Sequence, residues 1–469
     1  MALKSKKVCV VGAGWAGLAA AVGATQGGHR VTVLEAMRSL GGRARTLAPD
    51  VTHSLPDGST PMLDNGQHIL IGGYRETLDL MRTVGLDPAE LLLRLPLTLQ
   101  FPDGSGLRLP DWPQPWNQLA GVLGARGWSL GDKWSLLKAL RRWQRAHFEC
   151  SAAATVAELC VGIRPQVMDS FIEPLCVSAL NTPAQQASGQ VFLTVLYDTL
   201  KPVTRLKVPG GAAPETATKR PWAGSDLLLP RADLSALFPQ AAARWLQARG
   251  AAVRLGERAP TPRWSAGQWH VGDEAFDAVV WATAPAQAVQ ALAEYAPEAP
   301  KNLAIYLQRW LRPAQRLKFE AIATVYAHAE GLVLPTPMLA LASSPQLPAQ
   351  FVFDRGQLGG PPGLMAFVVS AAVGTHDAIE ELVIAQGNSQ LEHLLGGQRL
   401  VPVQTVVEKR ATLACTPRLA RPPQRIAPGL LACGDYLYAP YPSTLEGAVR
   451  SGLMAAMALD EADGFSWKP

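Results

Sequence analysis

The sequence predicts an α/β protein whose parallel sheet is assembled from separated stretches of chain, with a second, α+β domain inserted between them. Three observations predict it. The apolar run 8–11 passes straight into Gly12-Ala13-Gly14-Trp15-Ala16-Gly17 and then into an alanine-rich helical stretch. A second apolar run, 429–432, closes on Gly434-Asp435 and precedes another small-residue helix near the far end. Between the two, strand-like and helical patterns alternate over 227–284. Strands alternating with helices are the pattern of a parallel sheet covered by helices. With 469 residues, 48% of them hydrophobic, the chain exceeds the roughly 250–300 residues at which a single core stops growing, so two domains are expected.

The first strand and its turn carry the chemistry. Gly12 makes the tight turn out of the strand, Gly14 lets the backbone approach a pyrophosphate, and Gly17 lets helix and strand pack closely. The helix that follows, 18–26, offers free N–H groups and a positive dipole end to phosphates. The next strand, Arg-Val-Thr-Val-Leu over 30–34, ends on Glu35, eighteen residues beyond Gly17. An acid at that distance accepts hydrogen bonds from ribose hydroxyls. Gly12, Gly14, Trp15, Ala16, Gly17, Glu35 and Ala36 are therefore the expected contacts of a dinucleotide's first half.

The segment Arg38-Ser39-Leu40-Gly41-Gly42-Arg43-Ala44-Arg45-Thr46 comes next. A second glycine pair just past the ribose acid is not needed for NAD. It suits a longer, permanently held cofactor, with Gly41 and Gly42 close to it and Arg43 balancing its phosphates as a planar, multi-donor cation. At the other end, Ser443 and Glu446 form a capping-box pattern opening a helix to about 459, and Gly447, Ala448, Gly452, Ala455 and Ala456 give it a small-residue face.

These two ends together resemble the flavin amine oxidase and carotenoid desaturase superfamily. The resemblance implies an FAD/NAD(P)-binding Rossmann-like domain of the GR2 type, with the inserted α+β substrate domain of flavin amine oxidases. It implies FAD as cofactor, with Gly434, Asp435 and the turn Glu446-Gly447-Ala448 on its ribityl, phosphate and flavin parts. Related flavoproteins carry a branched residue near position 259 whose backbone touches adenine. Here it is Ala259, which leaves that contact open. The expected FAD domain comprises 1–80, 225–290 and 400–469, and the substrate domain 81–224 and 291–399. The connector 201–225, rich in proline, glycine and small residues, reads as either a mobile link or a lid.

Composition excludes several classes. The formal charge of +5 comes from 43 Lys and Arg against 38 Asp and Glu, too mild and too dispersed for a nucleic-acid surface. The six cysteines show neither paired spacing nor the density of a disulfide scaffold, and no metal cluster is expected. The N-terminal residues lack the apolar stretch of a signal peptide, and no window approaches the ~18–20 apolar residues of a spanning helix. A cytoplasmic protein is expected.

Four further segments narrow the family. Asp64-Asn65-Gly66-Gln67-His68 followed by Gly72-Gly73-Tyr74-Arg75, the stretch 174–183, the stretch 225–235, and Phe351-Val352-Phe353-Asp354-Arg355-Gly356 resemble the squalene-associated FAD-dependent desaturases of bacteria, now understood as hydroxysqualene dehydroxylases. That resemblance implies reductive removal of a hydroxyl: hydroxysqualene and reduced FAD give squalene, water and oxidised FAD, a step of hopanoid-type isoprenoid metabolism. Such an enzyme needs a proton donor, an apolar place for a thirty-carbon chain, and exclusion of water. The polar residues of these segments are the candidates: Asp64, His68, Tyr74 and Asp354 as donors, and Gln67 to orient donor or hydroxyl. Each also has a plain structural reading; Asp64 can brace a turn, His68 can be a satisfied boundary histidine, and Asp354 can pair with Arg355.

Two rival functions stay open on the sequence. One is a polyene desaturase using oxidised flavin; the other is a non-catalytic prenyl-lipid escort on the same fold, against which the intact FAD motifs argue. A second dinucleotide fingerprint is absent, so an external flavin reductant is expected. The segment 128–148 plots as a basic amphipathic helix, with Trp134, Leu136, Leu137, Leu140, Trp143 and Phe148 on one half and Lys138, Arg141, Arg142 and Arg145 on the other. It suits either packing on its own domain or contact with the inner face of the cytoplasmic membrane.

Overall fold

The computed structural model describes residues 5–50, 54–55, 57–200 and 222–460. Most of the connector 201–225 therefore lies outside the described residues. The central sheet has six strands in the order 425–427, 430–432, 278–281, 7–11, 30–35, 252–255. All neighbours are parallel except the short edge strand Arg425–Ala427. The alternation within Lys7–Val11 sets its two faces. Val8 and Val10 join the core under helices Trp15–Gln26, Pro239–Gln247 and Leu445–Ala458. Cys9 and Val11 join the opposite core, covered by the antiparallel meander 263–276 and helices Pro285–Tyr295 and Lys301–Ala314. Strands buried on both faces read as continuous apolar runs, as this one does.

The second domain is a five-stranded antiparallel sheet in the order 338–340, 351–354, 364–370, 319–328, 401–413. One face packs on helix His376–Gln390 through Ile379 and Val383. The other meets the helical region that contains Leu130–Arg145 and Gly189–Leu200.

Three expectations need correction. Leu227–Pro230 does not resume the central sheet; it pairs antiparallel with Leu70–Ile71 and Leu92–Leu95 in a separate three-stranded sheet at the domain junction. Val401–Leu413, expected in the dinucleotide domain, pairs instead with Phe319–His328 over most of its length. Helices over 285–314, expected in part beyond the boundary at 290, pack through Leu292, Leu303, Leu307 and Trp310 on the central sheet. In each case an apolar segment of the right length has two sheets within reach, and its local pattern is the same for both.

Candidate active site at the junction of two domains

The turn after the first strand is built as its glycines predict. Gly12 has φ +108°, and its N–H donates to Leu34 O at 2.7 Å. At Gly17 a Cβ would lie 1.9 Å from Gly12 O, so only glycine fits there. Gly14 is the uncapped N-cap of helix Trp15–Gln26, which leaves the helix's first N–H groups for a ligand's oxygens. Trp15 contributes through its backbone only. Its indole is buried against Phe238, with ring centroids 5.0 Å apart, and donates to Ala44 O at 3.1 Å. Ala16 is buried where the C-terminal helix crosses.

Glu35 accepts from Ala13 N–H at 2.7 Å through one carboxylate oxygen and from Met37 N–H at 2.9 Å through the other. These bonds orient it and leave each oxygen a lone pair for a diol. Ala36 is exposed beside it. Gly41 N–H donates to Ala13 O at 2.9 Å, which brings the second glycine pair against the first, with Gly14 and Gly41 bridged. Glu257 N–H donates to Glu35 O at 2.9 Å, tying the loop of Ala259 to the same end of the sheet. Ala259 itself is half-buried.

Arg43 and Asp435 meet across the sheet. The guanidinium contacts Asp435 at 2.6 Å and donates to Ala411 O at 2.5 Å. Burial works against its charge, and the Asp435 carboxylate more than offsets it, so the arginine stays a cation. Each was expected to address the cofactor independently; here they are partners. Beside them Tyr436 carries a buried hydroxyl that has no hydrogen-bond partner among the described residues. An unsatisfied buried hydroxyl costs about 1–3 kcal/mol, so this atom fits a place where a polar group of a bound molecule arrives. The open helix N-terminus, the oriented Glu35 and this hydroxyl suit a phosphorylated dinucleotide cofactor.

The C-terminal helix differs from its expected form by one residue. Thr444, not Ser443, is the N-cap, and its hydroxyl accepts from Gly447 N–H at 3.0 Å. The Ser443 hydroxyl accepts from Leu413 N–H at 3.0 Å. Glu446 is fully buried and faces away from its own helix start. Its carboxylate accepts from Thr77 N–H (2.9 Å), the Thr77 hydroxyl (2.7 Å) and Glu76 N–H (3.2 Å), and pairs with Arg450 at 2.8 Å. It caps helix Arg75–Thr83 and complements its dipole, so its side chain is not offered to a cofactor. Gly447 and Ala448 lie in the first turn of the C-terminal helix, and Gly434 N–H donates to the Ser451 hydroxyl at 3.0 Å.

The strip 63–68 is attached directly to this cradle. Asn65 N–H donates to Arg45 O at 2.9 Å, Leu47 N–H to Leu63 O at 2.8 Å, and the Asn65 amide to Arg43 O at 2.8 Å. From the other domain, the Tyr326 phenol donates to Asp64 O at 3.0 Å. The Asp64 carboxyl is buried; one oxygen accepts from Leu234 N–H at 3.0 Å and from Thr46 at 3.2 Å. The other faces the Arg355 guanidinium at 4.0 Å. Burial raises its pKa to about 6, against the opposing bonds and the Arg355 charge. Arg355 also donates to the Gln67 side-chain oxygen at 3.1 Å.

His68 bonds Gly66 O through Nδ1 at 3.0 Å. A carbonyl only accepts, so Nδ1 carries the proton and Nε2 is the bare acceptor. Burial lowers its pKa, and the Arg43 charge adds to the effect. In its neutral form this imidazole presents Nε2 as an acceptor, able to orient a hydroxyl.

Two candidates lie elsewhere. Tyr74 precedes helix Arg75–Thr83, bonds Thr444 and sits near Glu446; burial pushes its phenol far above the usual range. Asp354 is spent on its own loop, accepting from Leu334 N–H at 3.0 Å and the Gln357 amide at 2.8 Å, and it does not pair with Arg355. Strand alternation explains the exchange. Phe351 and Phe353 face the core shared with Leu63, while Val352 faces the opposite one. Position 354 continues the Val352 face and 355 the Phe face. That periodicity is the local signal for Arg355; for Tyr326 no local signal exists.

Comparison with known proteins places the chain in a family. The family model described as flavin containing amine oxidoreductase matches residues 15–460. A hydroxysqualene dehydroxylase of Rhodopseudomonas palustris is 28% identical, with 96% of this chain and 98% of that protein covered. One of Sinorhizobium fredii is 26% identical, covering 98% and 99%. Among solved structures, an oxidoreductase from Methanosarcina mazei superposes with a TM-score of 0.66 at 15% identity, covering 96% of this chain and all of the other. The open glycine cradle, the oriented Glu35 and a family match over nearly the whole chain lead to one assignment: this protein is an FAD-dependent oxidoreductase and belongs to the flavin-containing amine oxidoreductases.

Proposed function

We propose that the protein removes the allylic hydroxyl of hydroxysqualene to give squalene. The observation that carries this reading is the end-to-end likeness to hydroxysqualene dehydroxylases, which covers 98% of the Rhodopseudomonas protein. The buried pair Asp64 and Arg355, with half-buried Gln67 and His68 next to it in the chain, supports it. The FAD held by this chain would, when reduced, supply the hydride.

The residues of this chain handle the oxygen. The departing hydroxyl needs a proton before its C–O bond breaks, so that it leaves as water. Asp64 is the group for that: a carboxyl with a pKa of about 6 holds a proton over part of the near-neutral range, and the oxygen facing Arg355 is the one without a backbone donor. His68 Nε2 accepts the hydroxyl's hydrogen and orients it, and Gln67, held by Arg355, positions the pair. The apolar core that includes Leu63, Tyr326 and Phe353 borders this cluster and keeps water from the allylic cation. Electrons come from an external reductase or another donor, since the sequence carries one dinucleotide fingerprint.

The test is a single turnover without oxygen. Protein whose flavin has been chemically reduced converts hydroxysqualene to squalene, and the visible flavin band returns in proportion. Deuteride delivered from flavin N5 appears on the former carbinol carbon or at the far end of its allylic system. Asp64→Asn slows this step severely, and His68→Ala slows it less. If reduced protein leaves hydroxysqualene unchanged while oxidised protein desaturates an acyclic polyene, the dehydroxylase reading is wrong.

A further inference from the structure

The helical part of the second domain carries an apolar face that its own core leaves uncovered. Helix Trp116–Gly124 buries Asn117, Gly121 and Val122, and turns Trp116, Leu119 and Leu123 outward at spacings of three and four. Helix Leu130–Arg145 buries Leu136, Ala139 and Trp143. Leu136 and Trp143, from the apolar half of the expected helix, are thus core. Its exposed apolar residues are instead Leu130 and Trp134, one turn apart, at 82% and 60% exposure. The two helices are joined end to start, because the Lys133 ammonium donates to Leu123 O at 2.7 Å. Trp112, just upstream, is also exposed.

The charge around this face is predominantly basic. Residues 112–146 contain Arg126, Lys133, Lys138, Arg141, Arg142 and Arg145 against one acid, Asp132. Asp132 is consumed in the capping box with Ser129. Arg126, Lys138, Arg141 and Arg145 are exposed, and the Arg141 guanidinium lies 5.9 Å from the Trp134 ring. Single exposed apolar residues are ordinary on a soluble surface, but several large ones gathered on one face mark a contact surface. Exposed tryptophans and leucines rimmed by lysine and arginine match a lipid headgroup layer: indoles settle at the interface, leucines enter the acyl boundary, and the cations meet lipid phosphates. A protein partner would call for available acids in the rim or for complementary pockets, whereas the acids here, Asp132 and the Asp111 that adjoins Trp112, are engaged by Ser129 and by Arg94, and the other charges of the rim are basic.

We propose that the face formed by Trp112, Trp116, Leu119, Leu123, Leu130 and Trp134 docks the protein on an anionic phospholipid bilayer. Below it, Trp128, Leu136 and Trp143 belong to the same continuous apolar core as Leu63, next to Asp64. An apolar route from bilayer to site would follow that core. The proposal is independent of the reaction assigned above, because binding is measured without substrate.

The experiment uses the full-length holoprotein and vesicles of equal parts phosphatidylglycerol and phosphatidylcholine, with pure phosphatidylcholine vesicles as reference. The parent protein co-sediments with the anionic vesicles and weakly with the neutral ones. Combined Trp116→Ser, Leu123→Ser and Trp134→Ser lowers the partition coefficient by about tenfold or more, with bound flavin and melting temperature unchanged. Combined Lys138→Glu, Arg141→Glu and Arg145→Glu abolishes the preference for anionic vesicles. Equal partitioning of parent and serine variant, or no binding by the parent, overturns the proposal. So does sedimentation velocity showing a parent dimer that the serine variant converts to monomer without any change in vesicle binding, since the face would then belong to a second copy of the chain.

Discussion

Helices Trp15–Gln26 and Leu445–Ala458 pack tightly against each other, yet they begin in opposite ways. The first starts at Gly14 with no side-chain cap, so its leading N–H groups are left for a ligand. The second is closed by Thr444, and its only early acid, Glu446, reaches away to cap helix Arg75–Thr83. Their contact is close because a Cβ on Gly452 would lie 2.2 Å from Ala16 O, and one on Gly23 would lie 2.8 Å from Ala456 Cβ. The difference teaches that an open helix start is a binding surface, while a helix start filled by its own side chains is a joint. An acid at the start of the C-terminal helix looks like a cofactor contact in sequence and is a bracket between two helices in space.

The largest effect expected from this contrast is at Glu446. Glu446→Ala leaves the Thr77 and Glu76 N–H groups without their acceptor and Arg450 with only Asp198 and the Tyr438 hydroxyl, and breaking a buried ion pair of this kind costs about 3–5 kcal/mol. Denaturant unfolding measures the loss, while the increase in melting temperature on adding FAD persists. Loss of FAD affinity at unchanged apoprotein stability would reverse the assignment and make Glu446 a cofactor residue.

Next come the two glycines of the open turn. Gly17→Ala forces a methyl group into Gly12 O and costs about 1–3 kcal/mol by overpacking, with flavin lost as the turn shifts. Gly14→Val is different, since the nearest atom to a Cβ there is Gly42 Cα at 3.8 Å. The variant folds with near-normal apoprotein stability and purifies colourless, because the side chain occupies the path of the pyrophosphate. Stoichiometric FAD in Gly14→Val would show that this turn does not hold the phosphates.

Asp64 gives a pH-dependent effect of comparable or smaller size. Its pKa rises from 3.8 to about 6 on folding, so the folded state binds the proton more tightly than the unfolded chain. The stability this confers is complete below pH ~4 and is lost as pH rises through about 6, a change on the order of 2–3 kcal/mol. Asp64→Asn lacks that loss, so its stability relative to the parent improves between pH 4 and 7. A pH-independent difference between the two proteins would mean that Asp64 does not carry the proton assigned to it.

The smallest effect is at Glu35. Glu35→Ala removes an acceptor from Ala13 and Met37 N–H groups and from the ribose, and weakens FAD binding by about 1 kcal/mol, roughly fivefold. Titration of apoprotein with FAD reads it directly. A loss as large as that of Gly14→Val would make the acid, and not the open helix start, the dominant anchor.

Much of the dinucleotide site was legible because its parts are close in sequence. Strand, turn, helix and ribose acid fall within residues 7–35, and glycine is readable wherever backbone approaches backbone, as at Gly17. The meander 263–276 also has a local signal, since Ala266-Gly267 and Gly272-Asp273 punctuate three short alternating runs. The junction cluster was legible only as a set of polar residues. Asp64 and Gln67 both face Arg355, His68 bonds Gly66 O beside them in the chain, and Tyr74 and Asp354 are bonded elsewhere.

By itself the sequence determined the α/β class, the glycine turn and the acid that follows it, because those depend on backbone sterics and on side-chain periods of two and 3.6 residues. Only the tertiary structure decided how the acids are used. Glu446 finds Thr77 across 369 positions of chain, Arg43 finds Asp435 across 392, and Arg355 finds Gln67 across 288. A carboxylate carries the same charge whether it meets a ribose, a guanidinium or a helix N-terminus, so nothing local distinguishes those partners. Burial then sets the proton: the same fold that hides Asp64 from water lifts its pKa to about 6, and that environment exists only once both domains close around it.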